Sequence, residues 1–243
     1  MSALCKLDGV TVLYGGVRAL SDLSLCVPEG SVVALLGANG AGKSTTLRAI
    51  SGLVRLETGR VIFDGSRLDG LAPHLIARAG VLHVPEGRGI FPSLTVRENL
   101  EMVSFTRSGT ANPVEAGVEI FPALGRRLGQ AAGSLSGGEQ QMLSLSRAFI
   151  ASPRLLMVDE ISMGLAPIIV AELFGALRSM ASAGTSVLLV EQYVNAALEL
   201  ADYVYLLDKG RLVEVAEPGE LRREGLLRAY LGQEATNMEV SAR

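Results

Sequence analysis

Apolar positions come in short bursts over the first third of the chain, punctuated by glycine and proline. Segments 4–14 and 23–27 read as two strands around Gly15-Gly16, closed by Pro28-Glu29-Gly30, and this predicts an antiparallel β beginning. Residues 31–36 form a continuous apolar run of buried-strand length. A glycine-rich loop follows, then helical spacing over 42–51 that Gly52 stops. Further strands are predicted at 60–63 and 81–84, the latter running into Pro85-Glu86-Gly87, with a short helix at 73–79 between them. From 91 to 150 the texture changes. No segment alternates like a strand, while 95–105, 113–121 and 137–151 carry helical spacing, and Gly109, Asn112 and Pro113 mark a joint. After Pro153 strands and helices alternate: 155–159, 167–183, 186–191 and 195–200. Segments 203–207 and 211–215 then flank Asp208-Lys209-Gly210, a hairpin signal. Residues 218–231 read as helical, and 232–243 as a polar tail.

This rhythm predicts an α/β fold in one unit spanning 1–243. Segments 1–90 and 151–231 build a main lobe with a mainly parallel sheet and an antiparallel β part at its N-terminus, and 91–150 is an inserted helical lobe. Composition narrows the partners. Hydrophobic residues make up 49% of the 243 and the net charge is −3, so no polyanion-binding surface is expected and nucleic acid is not an expected partner. Mean hydropathy is high at +0.36, yet the apolar runs at 155–158 and 187–190 are strand-length, far short of the roughly 20 residues that span a bilayer. Residues 1–10 lack a basic stretch followed by an apolar one, so a cytoplasmic location is expected. Cys5 and Cys26 have no metal or redox spacing and are expected to be reduced, packed thiols. His74 and His83 fall at no motif and read as surface or packing residues. Arg88, Arg97 and Arg107 read as a solvated charged face.

Three segments carry chemistry. Gly37-Ala38-Asn39-Gly40-Ala41-Gly42-Lys43-Ser44-Thr45 satisfies G-x-x-x-x-G-K-[S/T] between an apolar strand and a helix. Glycines there let backbone N–H groups wrap phosphates without Cβ interference, and the helix N-terminus adds partial positive charge. Lys43 is placed to reach the β- and γ-phosphates, and the Ser44 hydroxyl to bind Mg²⁺. Asp159 and Glu160 end an apolar strand, where α/β proteins hold their ligands. Asp159 suits the Mg²⁺ shell, and Glu160 suits orienting and deprotonating a water. Third, Leu135-Ser136-Gly137-Gly138-Glu139-Gln140-Gln141 opens a helix with exposed N–H groups and a hydroxyl that can clamp a phosphate.

With the phosphate loop before it and the Asp159-Glu160 strand after it, that last segment resembles the signature of the ABC ATPases, and the resemblance covers essentially the whole chain. It implies ATP and Mg²⁺ as ligands, Tyr14 stacking on adenine, and residues 136–140 clamping a phosphate of a partner cassette's ATP. The runs Val84-Pro85-Glu86-Gly87-Arg88, Gly164-Leu165-Ala166-Pro167 and Leu189-Val190-Glu191-Gln192 are similar to one branch, the second ATPase of branched-chain amino-acid importers, whose relatives include amide and urea importers. Three positions depart from the wider pattern. Glu86 stands where most cassettes have a glutamine near Mg²⁺, Gln192 where most have a histidine on the γ-phosphate and water, and Ala166 where most have an aspartate crossing the dimer seam. The resemblance further implies permease subunits that dock near residues 89–94, an indirect solute-binding protein, and a peripheral place on the inner face of the membrane. The second cassette is expected to be a related chain, with a homodimer as the alternative. A soluble non-transport ABC ATPase, or a cassette that clamps ATP without cleaving it, are competing readings.

Overall fold

A computed structural model describes residues 3–87, 89–105, 112–191 and 193–221. Their core is a six-stranded sheet in the order β10-β9-β3-β8-β7-β6, made of β3 (Val32–Leu36), β6 (Val81–Val84), β7 (Leu155–Asp159), β8 (Ser186–Val190), β9 (Tyr203–Asp208) and β10 (Arg211–Ala216). All its pairings are parallel except the closing β9-β10 hairpin. The central strands β3, β7 and β8 are buried at every position, and this explains their uninterrupted apolar sequences.

Successive side chains on a strand face opposite ways, so this sheet feeds two cores. Val32, Ala34, Leu36, Leu156, Val158, Val187 and Leu189 pack on the helical side, while Val33, Leu35, Leu155, Met157, Leu188 and Val190 pack on the other. That second face is covered by α1 (Lys43–Ile50), α2 (Pro73–Arg78) and an antiparallel sheet in the order β2-β1-β4-β5. Its strands are β1 (Ala3–Tyr14), β2 (Val17–Pro28), β4 (Thr58–Phe63) and β5 (Ser66–Arg67). Cys5 is buried there, where burial pushes its thiol up to about 12.

Between 91 and 150 the described residues form α3 (Val96–Glu101), α4 (Pro113–Ile120) and α5 (Gly137–Ala151) with 3-10 turns and one isolated bridge, Thr95 to Ala131. The rest of the helical face comprises α6 (Pro167–Ser182) and α7 (Val194–Leu200). No helix among the described residues is long and apolar enough to cross a membrane.

Three expectations need correction. The second strand starts at Val17, not residue 23, because the turn at Gly15-Gly16 leads straight into pairing. Register shifts and a left-handed Asp22 then break the alternation that would have revealed it. The helix expected over 95–105 ends at Glu101 and tightens to a 3-10 turn over Met102–Phe105. Pro218–Glu220 is a 3-10 turn that ends before Leu221, and residues 222–231 of the expected helix and the 232–243 tail lie outside the described residues, as do Arg88 and Arg107. Arg97 meets Glu101 at 3.9 Å on an exposed helix face.

Candidate functional site

The loop 37–42 leaves β3 at the C-terminal edge of the parallel sheet and opens α1. Gly37, Gly40 and Gly42 all take positive φ. At Gly42, the N-cap of α1 with φ 105°, an added Cβ would lie 2.7 Å from Leu20 Cδ2 and 2.8 Å from the Ala19 carbonyl oxygen. The tight path of this loop therefore demands glycine on both conformational and steric grounds. Lys43 is nearly buried and folds back over the loop. Its ammonium donates to the carbonyl oxygens of Gly37 at 2.9 Å and Ala38 at 3.3 Å, and lies 3.5 Å from Glu160 Oε1.

Strand order explains that last contact. β7 is separated from β3 only by β8, so its C-terminal end brings Asp159 and Glu160 beside the loop. The Ser44 hydroxyl donates to Asp159 Oδ1 at 3.1 Å. Burial above all, then the nearby Glu160 and Glu86 carboxylates, hold the Asp159 carboxyl above its usual range, against the Ser44 hydrogen bond and the charge of Arg48. Glu160 sits in the left-handed region at φ 49°, with its N–H donating to the Val190 carbonyl at 2.9 Å. Asn39, Gly40, Gly42, Lys43, Ser44, Thr45, Glu86 and Glu160 share one cleft of about 330 Å³. Ala19 and Met163 also line it. Sequence reading missed both, since an alanine in a strand and a methionine in a loop carry no chemical signal.

Tyr14 ends β1, pairs with Val17 across the hairpin and is 44% exposed, outside the residues that line the cleft. Gln192 lies outside the described residues. Ala166 is the N-cap of α6 and offers no side-chain cap.

Ser136 is the N-cap of α5, in a reciprocal capping box with Glu139. Glu139 N–H donates to Ser136 Oγ at 3.3 Å, while the Ser136 N–H and hydroxyl donate to Glu139 Oε2 at 2.9 and 2.8 Å. These bonds, with Arg127 beside them, hold the Glu139 carboxyl below the usual range. The Gln140 amide donates to the carbonyls of Ala132, Gly133 and Leu135, fastening the lead-in to the helix. Gly138 passes against Ile169 of α6, where a Cβ would come within 2.8 Å of a methyl. Residues 136–140 are absent from the lining of the 330 Å³ cleft.

A glycine loop between a parallel strand and a helix, facing an Asp-Glu pair from a nearby strand end, defines a P-loop NTPase. The family described as ABC transporter matches residues 20–162. The chain is 43% identical, over 94% of its length and all of the relative's, to the high-affinity branched-chain amino acid transport ATP-binding protein BraG of Pseudomonas aeruginosa. It is 34% identical, over 86% of its length and 89% of the relative's, to the probable branched-chain amino acid transport ATP-binding protein LivF of Archaeoglobus fulgidus. A solved ATP-binding subunit of an ABC transporter superposes with a TM-score of 0.80 at 28% identity, covering 98% of this chain and 99% of that one. The chain belongs to the ABC transporter family and is one of its ATPase cassettes.

Proposed function

We propose that the chain powers an importer of branched-chain amino acids by binding and hydrolysing Mg-ATP in the cleft between its glycine loop and Glu160. The observation that carries this reading is the convergence of Lys43, Ser44 and Glu160 on one cleft, with Asp159 hydrogen-bonded to Ser44 and contacts of 3.1 and 3.5 Å between the loop and the acid pair. Backbone N–H groups of residues 37–45 and the Lys43 ammonium hold the phosphates. Glu160 orients the attacking water and takes its proton, with Gln192 assisting through a hydrogen bond, and Tyr14 stacks on the adenine. Ser44, Asp159 and Glu86 supply hard oxygen donors. Glu86 and Glu160 against Lys43 leave the lining of the cleft net negative, so a polyphosphate enters more readily with a cation. Mg²⁺ takes few protein ligands and completes its shell with waters and phosphate oxygens. Bound there, Mg²⁺ neutralises phosphate charge.

Because residues 136–140 do not line this cleft, a second cassette set head to tail completes it, presenting its own Ser136 helix to the phosphate. That partner is a related chain or a second copy. The region of residues 89–94, at the start of the 91–150 lobe, meets the permease subunits, which place the chain peripherally on the inner membrane face and receive solute from a binding protein. Relatives named for branched-chain amino acid transport, at 43% and 34% identity, support the solute.

The test is ATP hydrolysis by the full chain with Mg²⁺, alone and reconstituted with its permease in vesicles loaded for leucine uptake. Glu160→Gln should cut turnover by about 100-fold or more while ATP still binds. Uptake should require both ATP and the intact chain. Hydrolysis unchanged by Glu160→Gln overturns the catalytic assignment, and hydrolysis indifferent to the permease overturns the transport role.

A further inference from the structure

Glu191 stands immediately after β8, with no measurable exposure, following a strand made of aliphatic residues and one serine. Its carboxylate holds Ser162 twice. The Ser162 N–H donates to Oε1 at 3.1 Å, and the Ser162 hydroxyl donates to Oε2 in a short hydrogen bond. Ser162 is itself fully buried. Two residues earlier in the chain is Glu160, which sits at φ 49° and donates its N–H to Val190. The turn that leaves β7 is thus fastened to the end of β8 on both sides of Ile161, once by backbone and once by the Glu191 side chain.

A carboxylate withdrawn from water is costly unless hydrogen-bonded, and an apolar side chain of similar volume would stabilise such a position better. A non-glycine residue in the left-handed region persists only when its surroundings over-determine it. Those two costs meet in one turn. Glu191 does not line the cleft, so it does not act on nucleotide directly. We infer that Glu191 is a positioning residue for ATP hydrolysis: by holding Ser162 it keeps the Glu160 turn in its left-handed conformation, with the Glu160 carboxylate directed into the cleft beside Lys43. Without that grip the turn relaxes toward extended backbone and Glu160 swings away from the water it activates. Phosphate binding, which rests on residues 37–45, is spared.

This inference rests on the proposed role of Glu160, so the experiment carries its own control. Full-length wild type, Glu160→Gln, Glu191→Ala, Glu191→Gln, Ser162→Ala and Ser162→Thr are compared for kcat, KM for Mg-ATP, ADP affinity and thermal midpoint. Glu191→Ala should lower kcat by about tenfold to 100-fold, the scale of a misplacement near 1 Å, with KM and ADP affinity within about twofold. Ser162→Ala should fall in the same direction by less, and Ser162→Thr should keep wild-type turnover. Glu191→Gln should restore most of kcat, because its amide oxygen accepts from the Ser162 N–H while its NH₂ donates to the hydroxyl oxygen. If Glu191→Ala does not fold, the Ser162 pair decides, and equal kcat for alanine and threonine overturns the inference. Parallel loss of kcat and ADP affinity in Glu191→Ala also overturns it, since that pattern marks general loosening. Wild-type turnover in Glu191→Ala while Glu160→Gln is inactive defeats this inference alone, whereas full activity in Glu160→Gln defeats the reading beneath it.

Discussion

Single residues in this cassette carry charge states that the fold dictates. His83, on β6, has its Nδ1 3.1 Å from Ser51 Oγ, and the Ser51 hydroxyl hydrogen is already committed to the Leu47 carbonyl at 2.8 Å. The imidazole must therefore donate from Nδ1. Its buried Nε2 has no hydrogen-bond partner, so a second proton there would be introduced without solvent. Burial first, and then the charge of Arg48, lower the His83 pKa to about 4 from an ordinary 6.5. The unfolded chain binds this proton more readily than the folded one over that interval. Stability is therefore fully present above pH 6.5 and declines as pH falls toward 4, by up to ~3 kcal/mol from this one group. Denaturant unfolding from pH 7.5 to 4.5 should show that slope, and His83→Gln should remove this part of it while costing ~1 kcal/mol or less at pH 7. An unchanged slope in the variant would assign the acid sensitivity to the carboxylates.

At the scale of elements, the phosphate loop depends on steric room as much as on chemistry. Gly42 and Gly40 both need positive φ, but only Gly42 is hemmed in, by Leu20 and the Ala19 carbonyl, whereas an added Cβ at Gly40 meets nothing within 4 Å. Gly40→Ala should therefore cost ~1 kcal/mol of stability, and Gly42→Ala ~2–3 kcal/mol together with a clear loss of ATP affinity, as measured by denaturant midpoint and nucleotide titration. Equal effects would mean that conformation alone decides. The same contrast explains what could be read beforehand. Residues 37–45, 136–140 and 159–160 were legible because each motif is local and sits at an element end that its own sequence predicts. The fully buried parallel strands were legible from their continuous apolar runs. The start of β2 was not, since its bulged pairing with β1 puts Leu20 and Ser21 in the interior consecutively. The Ser162 to Glu191 contact was not legible either, because it joins residues 29 apart that belong to different strand ends. Likewise, only the folded turn reveals the left-handed Glu160.

For the whole molecule, if a second cassette completes the cleft as proposed, the separation of the Ser136 helix from its own chain's cleft makes activity a property of pairs. If two copies close head to tail, each ATP draws its glycine loop and Glu160 from one copy and its signature helix from the other, so two different defects can be distributed between copies. A Glu160→Gln chain keeps a sound signature but a dead cleft. A Ser136→Arg chain keeps a sound cleft but blocks the phosphate of its neighbour. Each variant alone should be nearly inactive. Mixed in equal amounts with random pairing, half of the dimers contain one of each, and one of the two sites in such a dimer is built wholly from sound parts. Hydrolysis should therefore return to about a quarter of the wild-type rate if the sites act independently, and it should fall on dilution as pairs dissociate. Ser136→Ala isolates the capping role from the interface role, because loss of the box in α5 should cost only ~1 kcal/mol of stability. A far larger fall in turnover than in thermal midpoint places the hydroxyl at the shared phosphate. A mixture no more active than its components would mean that copies of this chain do not complete one another's clefts, leaving a distinct cassette as the required partner.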